Sequence, residues 1–255
     1  MVDSINYARR IQEAILPPQD VVEETIPDSF VYYQPRDIVS GDFYFITPVK
    51  TTDQNMLQLS LFAAADCTGH GVPGAFMSIL GTNFLKASLK EKSINSPADA
   101  LDFLNLKIHE TLSQKASEMA VRDGMDIALC ALNRSTGELH YAGANLPAWI
   151  ITNVNGTNEI VELKPDKNPI GNIGVEVKFT DNKYQTKKGD MVYIFSDGYA
   201  DQFGGPNNKK FKYSKLKELL LSVADLPAEE QRKRLHDAIV AWRGKYQQTD
   251  DVLVI

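Results

Sequence analysis

Aspartate stands at the mouth of four apolar segments in this 255-residue chain. Leu61-Phe62-Ala63-Ala64-Ala65 runs into Asp66, and Met191-Val192-Tyr193-Ile194-Phe195-Ser196 runs into Asp197. Asp42 opens Phe43-Tyr44-Phe45-Ile46, and Asp250-Asp251 precedes Val252-Leu253-Val254-Ile255. Taken singly, each is explained as a turn cap. Together they pose an electrostatic problem, because carboxylates at the ends of buried strands repel unless cations sit between them. The available ligands are oxygens. His70, His109, His140 and His236 form no HxH or HExxH pair, and Cys67 and Cys130 are isolated, which disfavours zinc. Magnesium or manganese suits such a set, and two such ions can activate a water and clamp a phosphoryl oxygen.

A second motif points elsewhere. Gly69-His70-Gly71-Val72-Pro73-Gly74 satisfies the G-x-G-x-x-G pattern of a dinucleotide site. Asp66 at the loop entrance would repel a pyrophosphate, and Glu91, at the spacing of the ribose partner, falls at the tail of a helix rather than at a strand end. The glycines fit a tight backbone approach to a metal-bound ligand, with a helix starting at Pro73 near its first position.

The positioning elements follow from periodicity. Ile5, Ala8, Ile11 and Ile15 make a narrow apolar stripe on a helix over Ser4–Leu16, which Pro17-Pro18 ends. Strands are expected at 30–34, 43–48 and 57–65, with a turn at Thr51-Thr52-Asp53-Gln54-Asn55. Helices are expected at 73–89, with Phe76, Leu80, Phe84 and Leu85 on one side, and at 98–112. Strands return at 127–132, 139–142, 148–152, 160–163, 175–180 and 191–195, joined by hairpin chemistry such as Asn155-Gly156. Helices at 216–223 and 228–242 and a closing strand at 252–255 complete the chain. That order is not alternating βαβ, so antiparallel sheets covered by helices are expected.

Composition narrows the function. At 43% hydrophobic and 24% charged residues, the chain has material for a substantial core. The formal charge of −6 disfavours nucleic acid as a ligand, since phosphate backbones need a concentrated positive face. The basic clusters Lys209, Lys210 and Lys212 and Arg232-Lys233-Arg234 read as solvated surface. No apolar run approaches the ~18 residues of a membrane span. The start of the chain is not signal-like, and two isolated cysteines form no disulfide framework, so a cytoplasmic compartment is expected.

Six motifs occur in order: Ser40-Gly41-Asp42-Phe43-Tyr44, Asp66-Cys67-Thr68-Gly69-His70-Gly71-Val72-Pro73-Gly74, Tyr141-Ala142-Gly143-Ala144-Asn145, Pro169-Ile170-Gly171, Ser196-Asp197-Gly198 and Thr249-Asp250-Asp251. Together they resemble the metal-dependent protein serine/threonine phosphatase family (PPM), in its bacterial sporulation-stage-II-protein-E type, which includes regulators of alternative sigma factors. The resemblance implies an α+β, four-layer αββα sandwich, two antiparallel sheets flanked by helices, with a dinuclear Mn²⁺ or Mg²⁺ site at one end and room for a third ion. By motif match, Asp66 bridges both metals, the Cys67 carbonyl and Asp42 serve the second, and Asp197 and Asp250 serve the first. Arg36 is the candidate phosphate grip and His70 the candidate acid. Asp251 matches a position that is often Asn in eukaryotic relatives and is not assigned as a direct ligand. Asp123 and Asp126 are read as a turn in preference to a third metal site.

The implied activity is hydrolysis of phosphoserine or phosphothreonine by a metal-activated water, in the output domain of a bacterial signalling protein. Two alternatives are a non-catalytic module that binds a phosphoprotein, and a two-metal hydrolase of small phosphoesters. The expected partner is a phosphorylated regulatory protein, of the anti-anti-sigma kind, with no nucleic acid and no membrane insertion. Residues 1–18 are expected to be a helical linker from an upstream module, capable of forming a homodimer and of regulating the site. Residues 19–255 are expected to be the phosphatase domain, the cytoplasmic part of a larger receptor or a cytoplasmic protein.

Overall fold

The computed structural model describes residues 2–50, 58–113, 123–171 and 177–255. The expected turn at Thr51–Asn55 lies outside them. Two helices open the chain, α1 (Val2–Ile15) and α2 (Gln19–Thr25). The second was not foreseen after Pro17-Pro18. Pro18 is its extended N-cap, a place where a missing N–H costs nothing.

Three strands follow, β1 (Tyr32–Gln34), β2 (Phe43–Lys50) and β3 (Gln58–Cys67), then the helices α3 (Gly71–Ser88) and α4 (Pro97–Ser113). The middle of the chain supplies β4 (Met125–Asn133), β5 (Glu138–Ala144), β6 (Ala148–Val154), β7 (Thr157–Leu163), β8 (Asn182–Gln185) and β9 (Met191–Ile194). A single turn of helix, α5 (Gly198–Asp201), leads to the hairpin β10 (Phe203–Gly204) and β11 (Lys209–Lys210). The chain closes with α6 (Tyr213–Val223), α7 (Ala228–Arg243) and β12 (Val252–Val254).

Apart from the separate β10–β11 hairpin, the strands form two antiparallel sheets. One has the order β2-β3-β4-β5-β8. The other is β7-β6-β9, continued by the Phe195–Val254 bridge to β12, which pairs with β1. Three cores show the layering. Phe62, Ala64, Cys130 and Tyr141 of the first sheet meet Ile150, Ile194 and Leu253 of the second in the middle. The outer face of the first sheet packs against α3 and α4, where Leu101, Leu104 and Ile108 are fully buried at helical spacing. Each such side chain contributes about 2–3 kcal/mol by leaving water. Phe195, Trp149 and Tyr199 of the second sheet and α5 pack against Leu216, Leu220 and Leu235 of α6 and α7. This is the expected αββα sandwich.

Local departures have identifiable causes. Residues 177–180 are irregular rather than strand, and the pairing segment is β8; Val175 and Glu176 lie outside the described residues. Carboxylates take the backbone donors that a ladder would have used: Phe179 N–H donates to Asp102 Oδ1 (3.0 Å) and Thr180 N–H to Asp166 Oδ2 (2.7 Å). Helix α3 begins at Gly71, with His70 as N-cap, so Pro73 is its third residue rather than its first. Phe76 is 64% exposed, and α3 buries Gly74, Ala75, Met77, Ser78, Gly81 and Leu85 instead. Small residues are needed there because α3 is covered on two sides, by the first sheet and by α1.

Candidate metal centre

Strand register carries the aspartates to one end of the sandwich. Phe43 pairs with Ala65 and Asp66 with Asp126, so Asp42, Asp66 and Asp126 arrive on three neighbouring strands. From the second sheet, Ser196 N–H donates to Leu253 O (3.0 Å) and Leu253 N–H to Ser196 Oγ (3.0 Å). That exchange holds Asp197 and Asp250-Asp251 side by side. At this end of the first sheet the loops and α3 close up where the glycines allow it. A Cβ on Gly41 would lie 2.6 Å from Gly69 O and 3.2 Å from Cys67 O, and one on Gly74 would lie 2.8 Å from Gly41 Cα. The loop before β2, the loop after β3 and the start of α3 are therefore packed backbone to backbone, which only glycine permits.

Like charges directly opposite each other on paired strands destabilise a sheet. Burial, then the charges of Asp197, Asp250 and Asp126, raise the Asp66 carboxyl to about 8. Burial, then Asp201 and Asp250, raise Asp197 to about 6, while its hydrogen bond with Asp66 pulls it down. Asp42 is fully buried and pushed well above the usual range, first by burial and then by Asp66, with Ser196 opposing through a hydrogen bond. Its Oδ2 is buried without a partner among the described residues. Burial also raises Asp126, which Asn145 opposes by donating to Oδ1 at 2.8 Å.

Such a group of oxygen ligands, mutually repelling and with an orphaned buried oxygen, fits hard divalent cations. Among the described residues, no three acidic, His or Cys side chains already converge on a single point as a finished cage. The carboxylates raise one another's pKa by repulsion, and a cation is what would draw them together.

The other expected residues separate by role. The Cys67 thiol is buried and held protonated, first by burial, so its carbonyl, facing Gly41, is the group available to an ion. Asp251 has both oxygens occupied: Oδ1 accepts from Arg36 N–H (2.7 Å) and Oδ2 from Gly41 N–H (2.8 Å). It buckles the 36–41 loop in place. Asp250 Oδ1 accepts from Asp251 N–H (2.9 Å). The two candidates Arg36 and His70 are gathered by Asp37, whose Oδ2 is 3.1 Å from His70 Nδ1 and 3.9 Å from Arg36 Nε. Arg36 Nη1 also donates to Thr249 O (3.2 Å).

Asp126 corrects the sequence reading: it lies within β4, opposite Asp66, not in a turn. The alternating Met125-Asp126-Ile127 pattern was the signal. Asp123 stays outside, in the segment leading to β4. Gln12 of α1 was missed altogether. It is 4% exposed, donates to Ser40 O (2.6 Å) and Ser78 Oγ (2.9 Å), and accepts from Ser40 N–H (3.0 Å).

Solved structures share this architecture. The PP2C domain of SiaA from Pseudomonas aeruginosa is 28% identical, with a TM-score of 0.84, over 99% of this chain and 94% of that one. The PP2C phosphatase domain of SpoIIE from Bacillus subtilis, solved with a fragment of its regulatory domain, is 19% identical, TM-score 0.65, over 88% of this chain and 60% of that one. The RsbU and RsbW domains of a Mycobacterium tuberculosis protein match at 17% identity and TM-score 0.63, over 88% and 57%. No curated protein matches this chain. Fold and acidic centre define a PP2C-type, metal-dependent protein phosphatase domain. A family model described as Stage II sporulation protein E (SpoIIE) matches residues 59–255, and the chain belongs to that family.

Proposed function

We propose that this domain hydrolyses phosphoserine and phosphothreonine monoesters on a regulatory protein, as the cytoplasmic output of a bacterial signalling pathway. The observation that carries the reading is the gathering of Asp42, Asp66, Asp126, Asp197 and Asp250 at one end of the sandwich, with Asp42 Oδ2 buried and unpartnered among the described residues. Asp66 would be shared between two Mg²⁺ or Mn²⁺ ions, Asp197 and Asp250 would hold one, and Asp42 and the Cys67 carbonyl would serve the other. Bound there, the ions supply the Lewis acidity that activates water and neutralises phosphoryl charge. Asp251 keeps the 36–41 loop in register. Arg36 would meet the phosphate, and His70, steadied through Nδ1 by Asp37, would offer Nε2 as proton donor to the departing serine oxygen.

The test is hydrolysis of a phosphoserine peptide beside p-nitrophenyl phosphate. Activity on both, lost in excess chelator and restored by Mn²⁺ or Mg²⁺ but little by Zn²⁺, is the expected result. Activity on the small ester alone would indicate a small-phosphoester hydrolase, and none on either a binding module.

The N-terminal helix is proposed to tune this site, and Gln12 is the residue that supports it. Ile11, at 42% exposed, and Tyr7, at 65%, lie on the outer face of α1, while Gln12 reaches the residue two before Asp42. Gln12→Ala should raise the Mn²⁺ concentration for half-maximal activity several-fold, because Ser40 loses both bonds that hold its backbone. Ile11→Asp should change self-association, read by light scattering. Metal titration of Gln12→Ala that overlays wild type would make the helix a passive tether.

A further inference from the structure

The segment that follows the metal centre is unusually basic. Between Gln202 and Lys217 the chain has no acidic residue but contains Lys209, Lys210, Lys212, Lys215 and Lys217, in a protein of net charge −6. The β10–β11 hairpin and the first turn of α6 present these residues, and Lys209, Lys210, Lys212 and Lys215 are all exposed. Two of the five are matched by carboxylates: Lys210 Nζ is 2.6 Å from Asp201 Oδ2, and Lys217 Nζ is 2.9 Å from Glu162 Oε2. Lys215 lies over the Trp242 ring at 5.0 Å. Lys209 and Lys212 have no carboxylate partner among the described residues.

This basic surface is tied directly to the acidic centre. Asp201, which Lys210 grips, donates its N–H to Asp197 O (2.9 Å), and Lys212 N–H donates to Ala200 O (2.7 Å) on the same turn. Next in sequence, Tyr213 packs its ring on Phe195 (6.0 Å between centroids) and Trp149 (5.9 Å) while staying 39% exposed. Its hydroxyl is pushed up by burial and then by Asp197, Asp201, Asp66 and Asp126, so it stands within the field of the centre. Phe203, 38% exposed, pairs with Lys210 across the β10–β11 hairpin. Lys212 holds φ 76° and ψ 150°, a backbone region that glycine occupies freely and other residues only under strain. The fold thus carries a strained lysine, without a carboxylate partner among the described residues, in the segment that follows Asp197.

We propose that Lys209, Lys212 and Lys215, with Phe203 and Tyr213 between them, form the surface on which the phosphoprotein substrate docks, and that this partner carries acidic side chains next to its phosphorylated residue. The inference rests on the phosphatase reading and deepens it. An acidic partner is repelled by a protein of net charge −6 and attracted at this patch, whereas Arg232 and Arg234 of the other basic cluster are paired with Glu229 and Glu230, so the patch orients it. A phosphate dianion must also pass close to Asp66 and Asp197, and adjacent cations offset that repulsion until the metals take over. A basic partner would be drawn to the carboxylates in any orientation and would gain no such selection.

The experiment uses the intact chain with Mn²⁺. Phosphoserine peptides flanked by Asp and Glu, or by Lys, are compared with p-nitrophenyl phosphate, and binding of an acidic peptide carrying a non-hydrolysable phosphonate is followed by fluorescence anisotropy. Wild type should prefer the acidic peptide, with a preference that falls as salt is raised past the Debye regime. In Lys209→Glu/Lys212→Glu, the ratio of acidic-peptide to small-ester efficiency should fall about tenfold through KM, and the order of peptides should reverse. Lys212→Gly should melt higher than wild type yet bind the acidic peptide more weakly. Equal use of both peptides by wild type, or an unchanged ratio in the double variant, would overturn the proposal. If wild type hydrolyses nothing, the phosphatase reading fails, and anisotropy still decides the surface: binding lost in the double variant supports it, and binding retained refutes it.

Discussion

Asp66→Asn is expected to abolish turnover and, in the same protein, to raise the melting temperature of the metal-free domain at pH ~8. The first effect follows from losing the carboxylate that two cations would share; kcat should drop at least about a hundredfold at saturating Mn²⁺. The second follows from linkage. Burial and its carboxylate neighbours raise Asp66 from the ordinary carboxylate range to about 8. The folded, metal-free domain therefore keeps a proton that the unfolded chain gives up above pH ~4. Stability tied to this group is fully present at low pH and is lost as pH rises from about 4 through about 8. Asparagine removes that loss, so the variant gains over wild type at the alkaline end and gains nothing near pH ~4. Added Mn²⁺ should stabilise wild type increasingly as pH rises and should stabilise the variant much less. Calorimetry with and without chelator at both pH values reads all of this. A variant that melts lower than wild type at the alkaline pH without metal would show that the carboxylates do not repel as described.

Asp251→Ala should cost more stability than any substitution among the ligand candidates. Both Asp251 oxygens accept charge-assisted bonds from backbone N–H groups, and the residue is 3% exposed. Truncation strands the buried Gly41 N–H and that of Arg36, and each unpaired buried donor costs about 1–3 kcal/mol. A loss near 4 kcal/mol corresponds to roughly 10 °C in Tm for a chain of this size. The freed 36–41 loop would also carry Arg36 and Asp42 out of register, so activity should fall even at temperatures where the protein is folded. Asp251→Asn keeps one acceptor and turns an amide toward the other N–H, and should land between wild type and alanine. A melting curve of Asp251→Ala that overlays wild type would remove the buckle from this account.

The sites most legible in the chain were those where one residue type conflicts with its surroundings. Asp66 after Leu61–Ala65 and Asp197 after Met191–Ser196 are visible because a carboxylate ending an apolar strand demands a reason. Asp126 was harder, since Arg122-Asp123-Gly124-Met125-Asp126 has the composition of a turn. Its role depends on register: Asp66 lies opposite Asp126 because β3 and β4 pair from Leu59–Asn133 to Cys67–Met125. Over 177–180 the expected strand failed for a similar reason. Asp102 and Asp166, far away in sequence, take its backbone donors.

The four-layer αββα order rested on the resemblance of the six motifs. Periodicity, strand-end aspartates and glycine spacing by themselves determined antiparallel sheets covered by helices, the oxygen-rich centre and the place of its principal carboxylates. Those properties are local, because a strand's apolar run and the residue that ends it are adjacent in the chain. Only the tertiary structure decided that Asp251 clamps a loop, that Asp37 gathers Arg36 and His70, that Gln12 reaches Ser40 and that the Lys209–Lys217 segment flanks the centre. Each of these joins residues 28 or more positions apart, as with Gln12 and Ser40, or depends on which face of an element is turned inward. Such pairings are set by the packing of the layers against one another, and a polar side chain carries no mark in the sequence of the partner that packing will bring to it.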